Sequence, residues 1–317
     1  MKMPFKYAAL AGLLLMQKVC LADPSCAAFD SKTLVFAGSP VQQANCLVRG
    51  LHEWGKLDHE PTQIPEPLNK LVGEKIGISA AQYRAFLKTQ GISEADIGGS
   101  LEAALSRGNS NAPEAPAAGY FVIHDTSTPN LGTVPFSDMI NGAAWPFNEL
   151  KRYVRGKPQV LPGCVKSSDP QEEPGAHVFI NRLGDSVSPV DFSIPWRATK
   201  FESQNDCRAK GLFLHIELIQ PRHTDPRFRH HNDALSPSPG FTEAQYRRLA
   251  IVYVAASIRK GAWLVPSFHA TLDEGISDGH DDPQHFVLSD WADALDDVLQ
   301  EVDAGAVKAA SDTPVSK

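Results

Sequence analysis

Four side chains in this sequence have types suited to chemistry and sit where the chain leaves apolar runs: His124, Glu217, His269 and Asp282. Two neutral imidazoles and one carboxylate form a ligand set for a zinc ion, with a fourth position left for water. A second carboxylate close by could act as a general base. The residues are far apart in the chain, so no spacing rule brings them together. A lone histidine at a strand end is more often an ordinary hydrogen-bonded residue than a ligand. The question is therefore which elements could carry the four to one place.

The stretch Tyr120-Phe121-Val122-Ile123-His124-Asp125-Thr126-Ser127 follows a Pro/Ala-rich break and is rich in aromatic and β-branched residues. It predicts a short buried strand that ends in His124 as the chain leaves the sheet. A second strand is expected over residues 212–219. Alternation puts Leu212, Leu214, Ile216 and Leu218 on one face, and Phe213, His215, Glu217 and Ile219 on the other. A buried unpaired glutamate is costly, so Glu217 should be paired, neutralised or facing a site. Residues 175–187 predict a hairpin turning at Leu183-Gly184-Asp185, and residues 146–154 a helix. Thr242 and Gln245 fit a capping box for a helix with an apolar stripe at Leu249, Val252, Tyr253 and Ala256, ending at Gly261. After it, Trp263 to His269 runs into an acidic stretch holding Asp273, Glu274, Asp278, Asp281 and Asp282. That stretch reads as a solvated loop or a weak calcium site, although it lacks the alternation of an EF-hand loop.

The remaining chain is organised around this core. Residues 1–22 read as a signal peptide: Lys2 and Lys6 precede an apolar run too short for a membrane span, followed by small residues near Ala22. Residues 23–110 predict a helical region, with helices near 44–54, 78–89 and 93–106 and Ser79 and Ser93 as caps. Residues 111–119 read as a linker, 120–303 as the chemistry-bearing domain, and 304–317 as a tail without fixed structure. Loss of residues 1–22 removes Lys2, Lys6 and Lys18 and no acid, taking the formal charge from −7 to −10. An acidic exported protein is a poor non-specific nucleic-acid binder. Cys26, Cys46, Cys164 and Cys207 would remain, enough for two disulfides in an oxidising compartment. Cys26–Cys46 and Cys164–Cys207 are favoured among the three pairings because each joins neighbours. His223, His230 and His231 with Arg222, Arg227 and Arg229 form a locally basic segment, read as a solvated loop that could also touch an anionic substrate.

Residues 119–291 resemble the zinc-dependent N-acetylmuramoyl-L-alanine amidases of the type-2 amidase and peptidoglycan-recognition family. Ile123-His124-Asp125-Thr126-Ser127 is similar to the strand end whose histidine binds zinc. His177-Val178-Phe179-Ile180-Asn181-Arg182-Leu183-Gly184 resembles the family hairpin, and Ile216-Glu217-Leu218 the strand with the catalytic glutamate. Phe241-Thr242-Glu243-Ala244-Gln245 resembles the start of the helix that leads to the second zinc histidine, here His269. Asp282-Pro283, with Phe286 after it, is similar to the segment carrying the third ligand. The chain departs from the family in a longer interval between His269 and Asp282 and in His280 where many members have lysine. It also has Trp196-Arg197-Ala198-Thr199 in place of a Trp-His-Ala-Gly stretch.

The resemblance implies an α/β fold with a central mixed β-sheet flanked by helices. It implies one zinc ion per chain on His124, His269 and Asp282, catalysis by Glu217 and His280, and substrate contacts from His177, Trp196 and Arg197. His177 is also readable as a structural or pocket-wall histidine, and His215 as a core histidine. The substrate so implied is peptidoglycan or soluble muropeptides, cut at the amide between N-acetylmuramic acid and L-alanine, in the periplasm or outside the cell. Zinc would activate water, Glu217 would move its proton to the leaving amine, and His280 would donate to the oxyanion. Two other readings are a peptidoglycan-binding protein without catalysis and a zinc hydrolase of a different amide.

Overall fold

The computed structural model describes Cys26 and residues 28–154, 175–224 and 234–311, with side chains to residue 305. The expected signal peptide, Cys164 and most of the basic segment lie outside the described residues. The architecture is mixed α/β: a central mixed sheet of five strands flanked by helices.

Nine strands are present in chain order among the described residues. β1 (Phe29–Asp30) and β2 (Val35–Phe36) form an N-terminal hairpin. β3 (Tyr120–Asp125), β4 (Val178–Ile180), β5 (Ser186–Val187), β6 (Phe213–Leu218) and β9 (Val265–Phe268) make the central sheet. β7 (His223–Thr224) and β8 (Ala234–Leu235) pair separately. The sheet order is β5-β4-β6-β3-β9, with β4, β6, β3 and β9 parallel and β5 antiparallel at the edge. β3 therefore has a parallel neighbour on both sides and is buried along its whole length, which is why it reads as a near-continuous apolar run.

Each face of the sheet has its own lining. Phe121 and Leu214 point to the face covered by the Glu243–Lys260 and Leu288–Ser311 helices, where Phe121 meets Tyr253 and Trp291 with ring centroids 5.1 and 6.4 Å apart. Tyr120, Val122 and His124 on β3 lie beside Phe213, His215 and Glu217 on β6 on the opposite face. That face begins as an aromatic core of Phe36, Tyr120, Phe201 and Phe213 and turns polar at its carboxyl end. The Glu243–Lys260 helix has the expected Thr242/Gln245 capping box and ends at Gly261 in the left-handed region, φ 76°.

The N-terminal region contributes three helices, Pro40–Leu47, Glu66–Leu71 and Ala80–Thr89, and packs directly on the sheet and its helices. The Tyr83 hydroxyl donates to the Ile251 carbonyl (2.7 Å) and the Phe36 amide to the Tyr120 hydroxyl (3.2 Å). Residues 111–119 also join this packing, with Ala115 and Ala118 buried and the Ala118 amide bonded to the Ser106 carbonyl. The Cys26–Cys46 disulfide forms as expected, with Cα atoms 5.2 Å apart. Cys207 is also disulfide-bonded.

Four local expectations differ. The first helix is Pro40–Leu47, capped by Ser39; Trp54, expected within it, sits in the left-handed region at φ 57°. Ser93 caps only a 3₁₀ turn, Glu94–Asp96, because Gly98 and Gly99 follow at φ 101° and 99°. Residues 146–154 form two 3₁₀ turns in place of a helix. The last helix, Leu288–Ser311, runs into the stretch from residue 304 that was expected to lack fixed structure. Among the described residues no helix is long and apolar enough to cross a membrane.

Candidate metal centre

Three adjacent parallel strands deliver the site from their carboxyl ends, the usual position for ligands in such sheets. His124 is the penultimate residue of β3, Glu217 that of β6, and His269 directly follows β9. Asp282 comes from the loop after His269. Its Oδ2 accepts the Asp125 amide (3.1 Å) and its carbonyl accepts the Ala270 amide (2.9 Å), so each ligand segment is tied to the next. The acidic stretch between His269 and Asp282 turns at Gly275 and Asp278, both at positive φ, and returns Asp282 to the strand ends.

The imidazole nitrogens His124 Nδ1 and His269 Nδ1 are 2.8 Å apart. Asp282 Oδ1 is 3.1 Å from His269 Nδ1, and Asp282 Oδ2 is 3.7 Å from His124 Nδ1. A tetrahedral ion with bonds of about 2.0–2.1 Å needs ligand atoms roughly 3.3–3.4 Å apart. The three observed separations straddle that edge length, and all three side chains are buried. They form a group that could hold a metal ion.

A second group of three, His269, Asp273 and His280, shares His269. Its geometry fits an ion less well. The rings of His269 and His280 are stacked 4.2 Å apart at 21°, so their in-plane lone pairs do not converge on one point. Asp273 instead bridges the two, with Oδ2 at 3.1 Å from His269 Nε2 and 3.0 Å from His280 Nδ1. The first contact is close but not aligned as a hydrogen bond, since His269 Nε2 has no such partner.

Charge follows the same geometry. Burial, then the nearby His269 and His215, hold His124 well below the ordinary histidine value, so it is neutral, as a metal ligand must be. Burial also opposes a proton on His269, but the Asp282 and Asp273 carboxylates overcome it and raise the ring to about 10. Asp282 is lowered despite burial by His269. Glu217 is pushed well above the ordinary carboxyl value, first by burial and then by Asp282 and Asp125. Asp125 rises to about 7 for similar reasons, burial first, with Arg222 opposing. Burial and the neighbouring carboxylates thus act together to disfavour the ionised forms of Glu217 and Asp125. A cation there would offset both.

Glu217 is the register partner of His124, with Oε1 4.0 Å from His124 Nδ1 and Oε2 buried without a hydrogen-bond partner. His280, half exposed, lines a cleft of about 360 Å³ with Ser127, Asn130, Lys200, Arg222 and Asp281. The other expected contact residues are elsewhere. His177 is fully buried, its Nδ1 accepting the His215 amide (3.0 Å) and its Nε2 donating to the Ile194 carbonyl (3.1 Å); burial and His215 hold it near 3. Both ring nitrogens are engaged within the protein, which fits the structural reading of His177. Trp196 is buried, Arg197 donates to the Ser203 hydroxyl (2.8 Å), and neither is among the described residues lining the cleft.

Several residues of the site were not legible in advance. Arg222, expected in a solvated loop, is 2% exposed and bonds Asp125 (2.9 Å) and Ser127 (3.1 Å). Asp273, expected in a solvated acidic loop, is 2% exposed. The N-terminal region reaches the site as well: the Thr271 hydroxyl donates to the Leu47 carbonyl (2.6 Å) and Arg49 pairs with Glu274, on the turn that carries His269. Comparison of the chain with protein-family models, curated proteins and solved structures finds no match.

Proposed function

We propose that this chain is an exported zinc-dependent amidase of peptidoglycan, acting on the amide between N-acetylmuramic acid and L-alanine of the stem peptide. The observation that carries the metalloenzyme reading is the convergence of His124 Nδ1, His269 Nδ1 and the Asp282 carboxylate, with Glu217 beside them. Zinc is favoured over calcium or magnesium because half or more of the donor atoms are imidazole nitrogens. The choice of amide rests on the order of motifs that resemble the type-2 amidase and peptidoglycan-recognition family. The Cys26–Cys46 disulfide supports an oxidising compartment.

Zinc held by His124, His269 and Asp282 would supply Lewis acidity, lowering the pKa of a water and polarising the scissile carbonyl. Glu217 receives the water proton and returns it to the departing amine. In the metal-free protein Glu217 is held towards its neutral form, and a cation at the site would favour the carboxylate that accepts the proton. His280 lines the cleft with Nδ1 engaged by Asp273, which leaves Nε2 as the ring nitrogen to meet the oxyanion.

The test is incubation of the zinc-loaded mature protein with muropeptides, resolving products by chromatography and mass. Release of stem peptides with a free L-alanine amino group, lost in Glu217→Gln, supports the proposal. Zinc binding with intact muropeptides after prolonged incubation would instead favour a hydrolase of another amide or a binding protein.

A further inference from the structure

The two histidines of the metal centre present Nδ1 to each other, so their Nε2 atoms point away from the site. What stands behind each differs. Behind His269 is Asp273, 3.1 Å from Nε2. Behind His124 is another histidine: His124 Nε2 lies 3.0 Å from His215 Nδ1. Behind His215, in turn, is Glu202, with Oε2 3.3 Å from His215 Nε2. His215 and Glu202 are both fully buried, and Glu202 belongs to the short Lys200–Gln204 helix.

Glu202 has an evident local task that hides this one. Its Oε2 accepts the Ala198 and Thr199 amides (3.0 and 3.1 Å) and the Thr199 hydroxyl (3.1 Å), closing a capping box. Its Oε1, however, is buried with no hydrogen-bond partner, and so is His215 Nε2. Two adjacent buried orphans, one acceptor and one ring nitrogen, are costly unless they serve each other. A small rotation of the carboxylate would align them. His269 Nε2 is an orphan of the same kind beside Asp273.

We infer that Glu202, acting through His215, is a positioning residue that holds His124 in the tautomer able to bind metal. The inference rests on the zinc reading above. The chain of donors fixes every proton. The Glu202 carboxylate accepts from His215 Nε2–H, so His215 Nδ1 is an acceptor. It takes the His124 Nε2–H, and the His124 Nδ1 lone pair is left free. Asp273 does the same for His269 in one step. Metal-bound histidines are commonly backed in this way, with losses of about 10–100-fold in affinity when the backing is removed. The unusual feature here is that one backing carboxylate acts at one remove, through a second buried histidine. Replacement of Glu202 by glutamine sets an amide N–H₂ against His215, reverses the chain, and places a proton on His124 Nδ1.

The test is zinc affinity by chelator competition, with no substrate present, for wild type, Glu202→Gln and Asn205→Ala. Glu202→Gln should bind zinc about 10–100-fold more weakly, with an altered visible spectrum of the cobalt-substituted protein. Asn205→Ala, which removes a bond of the same helix (Asn205 Nδ2 to the Phe201 carbonyl, 2.9 Å) without touching Glu202 or His215, should leave affinity unchanged. Equal affinities in wild type and Glu202→Gln overturn the inference while leaving the zinc reading intact. If wild type binds no zinc, both fall. Should Glu202→Gln fail to fold, nitrogen-15 spectra of the histidines in zinc-loaded wild type decide the matter: His215 protonated at Nε2 supports the chain, and His215 protonated at Nδ1 contradicts it.

Discussion

His124 and Glu217 stand opposite each other as register partners on the neighbouring parallel strands β3 and β6, each one residue from its strand's end. Register partners share a face, so this pairing alone puts a candidate ligand and a candidate base on the same side of the sheet. The strand alternation that places Glu217 with Phe213 and His215 is therefore the element of sequence that matters most to the chemistry.

That relationship predicts a separation of functions. Glu217→Gln keeps the shape and removes the proton acceptor. The variant should retain about one bound metal per chain and lose amidase activity by about 10²–10⁴-fold, the usual worth of general acid–base catalysis. Parallel metal analysis and turnover measurements check this. Loss of metal together with activity would make Glu217 a ligand or a structural residue.

Metal binding should depend on pH through His269. In the metal-free protein its ring is raised to about 10, so near neutrality a proton must leave before metal binds. Affinity should rise about tenfold per pH unit through the neutral range and level off as pH approaches about 10. The stability sign is opposite. A raised histidine stabilises the metal-free fold fully below its unfolded value, about 6.5, and that contribution is lost as pH rises towards about 10. Isothermal titration in buffers of different ionisation enthalpy reads the released proton; a pH-independent affinity would show that His269 does not carry it.

His280 gives a third prediction. Its Nδ1 is engaged by Asp273, which leaves Nε2 as the ring nitrogen that would meet a developing oxyanion. His280→Ala should lower kcat with little change in KM, and His280→Lys, which supplies another donor, should recover part of the loss. Equal kcat values in wild type and His280→Ala would remove His280 from the mechanism.

The buried Arg222–Asp125 pair gives a prediction on stability. Arg222 is 2% exposed and holds Asp125 at 2.9 Å, beside the Asp282 ligand. Removing one member of a buried pair leaves an uncompensated group and costs about 3–5 kcal/mol. Arg222→Ala should show that loss in urea unfolding and should also weaken metal binding, because Asp125 donates its amide to Asp282.

How much of this was legible beforehand follows from local against non-local causes. β3, β6, the 175–187 hairpin and the Thr242-capped helix were readable, because alternation, turn residues and a capping box act within a few residues. The helix expected near 93–106 failed because Gly98 and Gly99 take positive φ, packed against Phe192 and Asp191. The four candidate residues were readable as types, whereas their meeting depends on the β6-β3-β9 order, which no spacing encodes. Arg222 was hidden because its partner Asp125 is distant in sequence. Asp273 and Arg222 also had plainer local readings, as parts of an acidic and a basic loop, and no local pattern marked Glu202.

The most direct test of the central claim is the metal content of the purified mature protein, measured for wild type beside His269→Ala and Asp282→Ala. The account predicts about one zinc per chain in wild type and its loss in both variants. Wild type that carries no zinc and takes up none when it is added would contradict the claim.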